Sequence, residues 1–426
     1  MRFYVVKLQK TVHLNVLSTL VDGRKIKVGE LAENRQGIFF AYDDHYRQYF
    51  PHLSLSPFKL RFEPDLQLAP KEPHNGLHGV FADSLPDGWG MLLQDRFFAA
   101  NGIDFYRISP LDRLAFVGEK GIGALSFEPQ TENSTEDVSL TELGKNAEQL
   151  FGGQTEEVLN ALIQAGSSGG ARPKAQIFIP PQQTNICRTV AQQGDEAWIV
   201  KFTSKNLPLQ FEEGLCEAAY LSMAETAQLQ PVEWQLLNQQ TQPWLAVKRF
   251  DYLAETGGRV HTHSLCGLLD ASHRMSSMDY FGLLKATKLL CHSRRASQLQ
   301  FRRAIFNLFT LNQDDHTKNW AFVQDEQGNW PPSPAYDITF SPLRHGEHST
   351  AFGIYGTKPP LNVIQELADV AGFNDWSEAK AVIGEIVASI AAFSNAAKQL
   401  GIRQTTISQI QKSLNRVWQE NRGLLE

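Results

Sequence analysis

Residues 311–322 read LNQDDHTKNWAF, and Asp314 and Asn319 stand five residues apart in this stretch with Lys318 between them. An Asp so placed can accept the proton of a hydroxyl group, and an Asn oxygen can help to hold Mg²⁺. A nearby Lys can neutralise charge on a phosphoryl group during its transfer. Asp315 is the alternative carboxylate, but Asp314 is the one followed by an Asn five residues later. The stretch therefore predicts a phosphoryl-transfer loop.

The spacing D-x-x-x-x-N is that of the protein-kinase catalytic loop, although alone it is a weak pattern that often occurs by chance. Such a site needs a second carboxylate for the metal. Asp337 follows Asn319 by 18 residues, beyond a turn at residues 327–329. It stands where kinases have their second magnesium Asp, although the usual Asp-Phe-Gly text is absent. The competing interpretation is an Asp that caps a turn.

A lysine inside an apolar strand lies upstream of this loop. Residues 198–202 read WIVKF, and Lys201 corresponds to the strand lysine that pairs with the ATP phosphates in kinases. A charged group in so apolar a strand needs an anionic partner if it points inward. Glu217 on the next predicted helix is our candidate, with Glu212 and Glu213 as rivals. The competing interpretation is an edge-strand lysine that points to water.

A loop of small residues precedes the strand. Residues 166–171 read GSSGGA, and the free N–H groups of such a loop can surround phosphate oxygens. The same letters satisfy G-x-S-x-G, the nucleophile elbow of esterases, which requires a strand before it and a helix after it. The pattern here predicts the reverse order, which disfavours an esterase. A flexible turn is the remaining alternative.

The order of these features carries more weight than any one of them. A small-residue loop, a strand lysine, a helix glutamate, two strands, the Asp–Asn pair and a further Asp follow one another as in kinases. His261 and His263 would share one side of a strand, but no third ligand is in view, so we predict a structural role for them rather than a zinc site. We predict that His316 organises the loop that contains it.

Composition narrows the class of protein. The 426 residues include 40 Lys and Arg against 46 Asp and Glu, a net charge of −6, which argues against a protein whose main task is coating nucleic acid. The four Cys residues form no C-x-x-C pair and fit a reducing cytosol. The first residues lack the apolar core of a signal peptide, and polar residues interrupt the apolar run at 383–397. We expect a cytoplasmic protein without a membrane span.

Periodicity predicts an α+β chain whose first part is rich in strands and whose last part is mostly helical. Strand patterns occur near 3–8, 38–42, 120–127, 175–179, 198–202, 232–237 and 244–249, and helix patterns at 83–100, 155–166 and 212–229. Three prolines between residues 62 and 76 predict a linker there. After residue 262 the pattern is helical, apart from an irregular segment at 311–360.

Over nearly its whole length the chain resembles the HipA-type toxin serine/threonine kinases. The blocks that carry the resemblance are DSLPDGWG at 83–90, PLDRLA at 110–115, VG at 117–118, GIGAL at 121–125, GGARPKA at 169–175, IVKF at 199–202, VKRFD at 247–251, RVH at 259–261 and DDHTKN at 314–319. So many blocks in one order make the resemblance specific.

The resemblance implies a bilobal protein-kinase-like fold. It implies a β-rich N-terminal subdomain with a helical insert at 1–150, the core of the kinase N-lobe at 151–250, and a helical C-lobe at 251–426. It further implies ATP and Mg²⁺, phosphorylation of a protein Ser or Thr, and growth arrest of the kind linked to persistence. Aminoacyl-tRNA synthetases are among the family's substrates. The implied partner is a HipB-type helix-turn-helix antitoxin, through which the chain would contact DNA indirectly.

The family's functional residues carry over onto matching positions. Asp314 and Lys318 become the catalytic residues, Asn319 and Asp337 the magnesium ligands, and Glu217 the ion-pair partner of Lys201. The residues expected at ATP are Lys201, Ser168, Gly169, Gly170, Ala171, Lys248, Phe250, Asp251 and His316, with the backbone of 248–250 as the adenine hinge. The autophosphorylated serine matches Ser167, with Ser168 adjacent.

Two residues depart from the family pattern. Leu311 precedes Asn312 where the family usually has Gly, and Lys248 stands where its hinge commonly carries Glu. Neither change removes a catalytic group, so an active kinase is the leading interpretation. The alternative is a catalytically silent member that acts as a corepressor by binding its antitoxin.

Overall fold

A computed structural model describes residues 10–131, 140–151, 172–181, 187–237, 243–272 and 278–426. Its N-terminal part contains an antiparallel sheet in the order β4-β3-β2-β1-β5. The strands are β1 His13–Thr19, β2 Lys25–Asn34, β3 Gly37–Tyr42, β4 Gln67–Leu68 and β5 Leu125–Glu128. Side chains in β1 and β3 alternate between the core and the other face, as one-sided sheets require.

The N-terminal part also contains helices, some of which pack against this first sheet. They are α1 Asp44–Tyr49, α2 Gly79–Ala82, α3 Gly88–Ala100, α4 Pro110–Val117 and α5 Leu140–Phe151. A capping box formed by Ser109 and Asp112 begins α4, and Pro110 occupies its first turn. The sheet, α2 and α4 enclose one apolar core.

The second sheet has the order β6-β7-β9-β8 and is also antiparallel. Its strands are β6 Lys174–Ile179, β7 Glu196–Lys201, β8 Trp234–Leu237 and β9 Trp244–Lys248, and helix α6 (Glu213–Thr226) connects β7 to β8. Apolar residues of α3 and α5 pack against this sheet and form a second core with it. Thus α3 is shared between the N-terminal part and the second sheet.

The third and largest core is mainly helical. The remaining elements of the chain are β10 Tyr252–Leu253, β11 Gly258–Arg259, β12 His261–Ser264, β13 Ala321–Gln324, α7 Leu265–Leu269, α8 Tyr280–Cys291, α9 Arg294–Thr310, α10 Leu361–Ala371, α11 Trp376–Ala391, α12 Phe393–Gln399 and α13 Gln404–Asn421. The core is formed mainly by the helices among them. Helix α6 also contributes to this core, since Cys216, Tyr220 and Leu221 are fully buried in it. Consequently α6 is held between the second sheet and the helices.

The α+β fold class is confirmed, with β-rich and helical parts in the expected order. One expectation was wrong in detail, and two others are not tested. The proline-rich segment at 62–76 is not only a linker, because β4 within it pairs with β3. The predicted strand at 3–8 and the predicted helix at 155–166 lie outside the described residues.

One apolar segment near the end of the chain differs from the expectation for 383–397. By length and composition alone, Trp376–Gln399 is apolar enough to cross a membrane. In the structure it consists of α11 and α12, and Ile383, Ile386 and Phe393 are fully buried in the third core. The apolar face of this segment therefore forms part of the protein interior.

Candidate active site

Lys201 lies at the end of β7 and forms a buried ion pair with Glu217. Its Nζ is 2.5 Å from Glu217 Oε1, and the side chains are 10% and 2% exposed. Because β7 lies between β6 and β9, Lys201 does not sit on an edge strand. The rival carboxylates are used elsewhere: Glu212 bonds to Arg403 and Thr406 near the start of α13, and Glu213 bonds to Arg172.

Lys201 also contacts the carboxylate of Asp337, so it joins the second sheet, α6 and the segment after β13. Burial lowers the pKa of Lys201, but the charges of Asp337 and Glu217 outweigh this effect and raise it. Burial likewise raises the pKa of Asp337, whereas Lys201 and Lys174 lower it strongly. Lys201 and Asp337 are therefore both charged at neutral pH.

Asp337 has a backbone φ of +52°, in the left-handed region that non-glycine residues rarely adopt. Such strain is maintained only where the surroundings impose it, and it clusters at functional sites. The competing interpretation of Asp337 as a simple turn cap does not account for its contact with a lysine from another sheet.

Lys174 is a site residue that the sequence analysis did not single out. It lies opposite Lys201 in the β6–β7 register and is 4% exposed. Burial lowers its pKa, and the neighbouring Lys201 lowers it further, against the effects of Asp337 and Glu217. A second cation beside Lys201 suits a site for a highly charged anion. The signal in the sequence is a lysine that opens the apolar strand KAQIFI.

Asp314 and Asp315 face opposite environments. The Asp314 side chain is 57% exposed. Asp315 is buried, and its carboxylate accepts hydrogen bonds from the Tyr280 hydroxyl and the Thr350 N–H and contacts His348 Nδ1 at 2.8 Å. Asp315 is thus an internal anchor, and Asp314 is the carboxylate that a substrate hydroxyl can reach.

The loop that contains Asp314 is closed on itself. Asn319 Nδ2 donates to the Asp314 carbonyl oxygen at 2.7 Å, and the Asn319 N–H bonds to the His316 carbonyl. His316 Nε2 lies 3.6 Å from Asp314 Oδ1, which fits the predicted role of His316 as an organiser of the loop. Leu311, at the end of α9, has a φ of +55°, which explains why a Gly would suit this position.

Two hydrogen bonds bring the Asp337 segment to this loop. The Tyr336 hydroxyl donates to the Lys318 carbonyl at 2.7 Å, and the Ser341 hydroxyl donates to Asn312 Oδ1 at 3.0 Å. Within the described residues no three His, Cys, Asp or Glu side chains form a metal-binding cluster. Mg²⁺, however, needs only one or two protein oxygens when phosphates supply others, so Asp337 and Asn319 fit a magnesium ion that arrives with a nucleotide.

Residues 248–250, which are expected to bind adenine, agree with that role only in part. Phe250 stacks on Tyr336 with ring centroids 6.0 Å apart, next to Asp337. Lys248 makes structural contacts within the second sheet. Its N–H donates to the Glu233 carbonyl, and its Nζ lies 2.8 Å from Glu196 Oε1.

Asp251, which the resemblance places beside the nucleotide, lies inside the protein. It is 1% exposed; its Oδ1 accepts from Arg249 Nε at 3.0 Å and its Oδ2 from the Gly123 N–H at 2.7 Å. This carboxylate therefore ties the N-terminal part to the segment that follows β9. The sequence around Asp251 gives no sign of the bond to Gly123, which lies 128 residues away.

Two further sets of residues were predicted from the sequence, a histidine pair and the small-residue loop. His261 and His263 are buried, contacting the Leu55 carbonyl and Asp83 respectively, which agrees with a structural role. The loop residues Ser167, Ser168, Gly169, Gly170 and Ala171 lie outside the described residues.

The family models and the solved structures point to the same family of proteins. The sequence model of the HipA-like C-terminal domain matches residues 166–394, and that of the HipA N-terminal domain matches residues 20–128. No curated protein sequence matched. Among solved structures, the HipA toxin from Shewanella oneidensis MR-1, in a complex with HipB and operator DNA, superposes with a TM-score of 0.67 at 16% identity. The match covers 96% of this chain and 98% of that one, so the two share a fold.

Proposed function

Since this chain belongs to the HipA family, we propose that it is an ATP-dependent protein serine/threonine kinase and the toxin of a toxin–antitoxin pair. The observation that carries the proposal is the joining of Lys201, Glu217 and Asp337 across three elements, beside a loop that exposes Asp314. A binding module without catalysis has no need to keep these charges buried together, because burying ions is costly.

The residues divide the work of phosphoryl transfer. Lys201, held by Glu217 and flanked by Lys174, binds the ATP phosphates. Asp337 and Asn319 hold Mg²⁺, which neutralises phosphate charge when it is bound. Asp314 accepts the proton of the substrate Ser or Thr hydroxyl and orients its oxygen. Phe250, stacked on Tyr336, provides an apolar surface on the adenine side.

Autophosphorylation in the loop with Ser167 and Ser168 regulates the kinase. This part of the proposal depends on the sequence alone. A phosphoserine adds about −1.5 to −2 charges, which repel the ATP phosphates that the loop would otherwise surround. Replacement of both serines by Ala should abolish the loss of activity that follows incubation with ATP. Unchanged phosphate incorporation into the double variant would contradict this regulation.

The partner is a HipB-type antitoxin with a helix-turn-helix fold. The Shewanella HipA lies in a complex with HipB and operator DNA. This chain has a net charge of −6, so it reaches DNA through its partner. Its substrate is a cytoplasmic protein, with aminoacyl-tRNA synthetases as the leading class, and phosphorylation of that protein stops growth.

Incubation of the purified chain with γ-labelled ATP and Mg²⁺, alone and with bacterial extract, tests the proposal. We expect label on the chain or on an extract protein with the wild type and none with Asp314→Asn. Absence of label from the wild type would favour the silent corepressor instead. In that case antitoxin binding, measured on the same preparations, would be equal for the two proteins.

A further inference from the structure

The segment DSLPDGWG at 83–90 belongs to the N-terminal part, yet it reaches the loop that contains Asp314. Asp87 Oδ2 lies 3.1 Å from Lys318 Nζ, and the two side chains are 15% and 19% exposed. An ion pair so shielded from water is stronger than a surface pair and fixes its ammonium in place.

Both flanks of Asp87 are anchored, to different parts of the molecule. On one side, Asp83 accepts hydrogen bonds from the Ser264 N–H at 2.7 Å and from the Ser264 hydroxyl at 2.6 Å. On the other side, Trp89 is 1% exposed and its Nε1 donates to the Lys174 carbonyl at 3.0 Å. The segment therefore bridges the third core and the second sheet beside Lys201.

Lys318 is held at two points. Its carbonyl oxygen accepts from the Tyr336 hydroxyl, and its ammonium meets Asp87. A free lysine side chain loses rotamer entropy when it is fixed. Here the fold has already fixed it, and an ammonium has three donors, so one bond to Asp87 leaves others for a phosphoryl group.

We propose that Asp87 is a positioning residue for phosphoryl transfer: it orients the Lys318 ammonium toward the transferring group. The inference rests on the proposed kinase function. It assigns to the N-terminal part of the chain a direct share in the site. Because a carboxylate repels ATP, Asp87 should affect the rate of transfer and not strengthen the binding of ATP.

The test compares Asp87→Asn and Asp87→Glu with the full-length wild type, by single-turnover transfer from γ-labelled ATP. We expect Asp87→Asn to slow transfer at saturating ATP by about tenfold or more, with the apparent ATP affinity within about threefold of wild type. Asp87→Glu should restore part of the rate. The matched control is Asp95→Asn, which should transfer at the wild-type rate. Asp95 lies on α3, the helix that follows Asp87, and its ion pair is with Arg113 of α4.

Wild-type transfer by Asp87→Asn would overturn the inference, as would equal losses in Asp87→Asn and Asp95→Asn. A loss that arises entirely from weaker ATP binding would do the same. If the wild type itself transfers no phosphate, the proposed function fails and the inference fails with it, whereas a cycle of Asp87→Asn, Lys318→Gln and the double variant still tests the ion pair. The ion pair predicts that the double variant shifts the thermal midpoint by less than the two single shifts combined. Additive shifts would refute it.

Discussion

At the scale of single residues, two neighbouring aspartates lie in opposite environments. Asp314 is mostly exposed, whereas Asp315 is enclosed by Tyr280, His348 and Thr350. The sequence indicated Asp314 only through an Asn five residues later. The structure supplies the physical reason, because the Asp315 carboxylate is already occupied by internal donors.

We therefore expect Asp315→Asn to lower the free energy of unfolding by about 2–4 kcal/mol, since an amide cannot accept from all of these buried donors. Urea unfolding measures this change. The matched control is Asp314→Asn, which should change stability by less than about 0.5 kcal/mol because its side chain faces solvent. Equal effects of the two substitutions would contradict the assignment.

Leu311 is a second test at this scale, because two effects compete there. Its left-handed backbone costs about 1–2 kcal/mol, which Gly would relieve. Its side chain is 5% exposed in the third core, and removal of a buried Leu side chain costs about 2–5 kcal/mol. We expect Leu311→Gly to destabilise the protein by about 1–3 kcal/mol in urea unfolding. A stabilised variant would show that backbone strain dominates.

At the scale of elements, the helix and strand patterns predicted α3, α6, β7 and β9 to within a few residues. They did not predict β12 or β13, because these two short strands pair across more than fifty residues and include polar side chains. Helix α4 was quoted only as a family motif, although Ser109 and Asp112 form its capping box. Hydrophobic periodicity within a short window predicts amphipathic helices and strands, but it does not predict which distant strands pair.

Strand β12 gives a prediction about pH. Burial lowers the pKa of His261 to about 4, while its hydrogen bond to the Leu55 carbonyl acts in the opposite direction. In the unfolded chain the imidazole has a pKa of about 6.5, so between about pH 6.5 and pH 4 the unfolded chain binds a proton that the folded protein does not. A falling pH therefore favours unfolding. The contribution of His261 is present above pH 6.5 and is lost as the pH falls to about 4.

Between pH 7 and pH 4 we expect the wild type to lose up to about 3 kcal/mol more stability than His261→Gln, at about 1.4 kcal/mol per pH unit of pKa difference. Urea unfolding at several pH values gives both curves. His78, whose pKa burial also lowers to about 4, is kept in both proteins and does not disturb the comparison. Parallel curves would mean that His261 titrates alike in the folded and unfolded chains.

At the scale of the whole molecule, the candidate site lies where the cores meet. Lys201 comes from the second sheet, Glu217 from a helix of the third core, and Asp87 from the N-terminal part. The order of motifs sufficed to suggest Lys201, Glu217, Asp314 and Asp337. It could not suggest Lys174, Asp87 or the internal role of Asp251, because those depend on which distant surfaces meet.

Because the candidate site is formed by residues from separate cores, binding of a ligand there should stabilise the whole molecule against unfolding. We expect Mg²⁺ and ATP at about 100 times the dissociation constant to add about 2.7 kcal/mol to the free energy of unfolding, seen as a higher thermal midpoint. Lys201→Met should lose most of this gain. Lys380→Met is the control, since Lys380 is a partly exposed lysine of α11 that bonds to the last residue, Glu426. An equal gain in all three proteins would place the nucleotide elsewhere.

The central claim is that this chain phosphorylates a cytoplasmic protein on Ser or Thr through Asp314. Quantitative phosphoproteomics after brief induction in bacterial cells, with wild type against Asp314→Asn, tests it most directly. We expect a small set of Ser or Thr sites to gain phosphate only with the wild type, before growth stops. Identical phosphoproteomes with the two proteins at equal levels would contradict it.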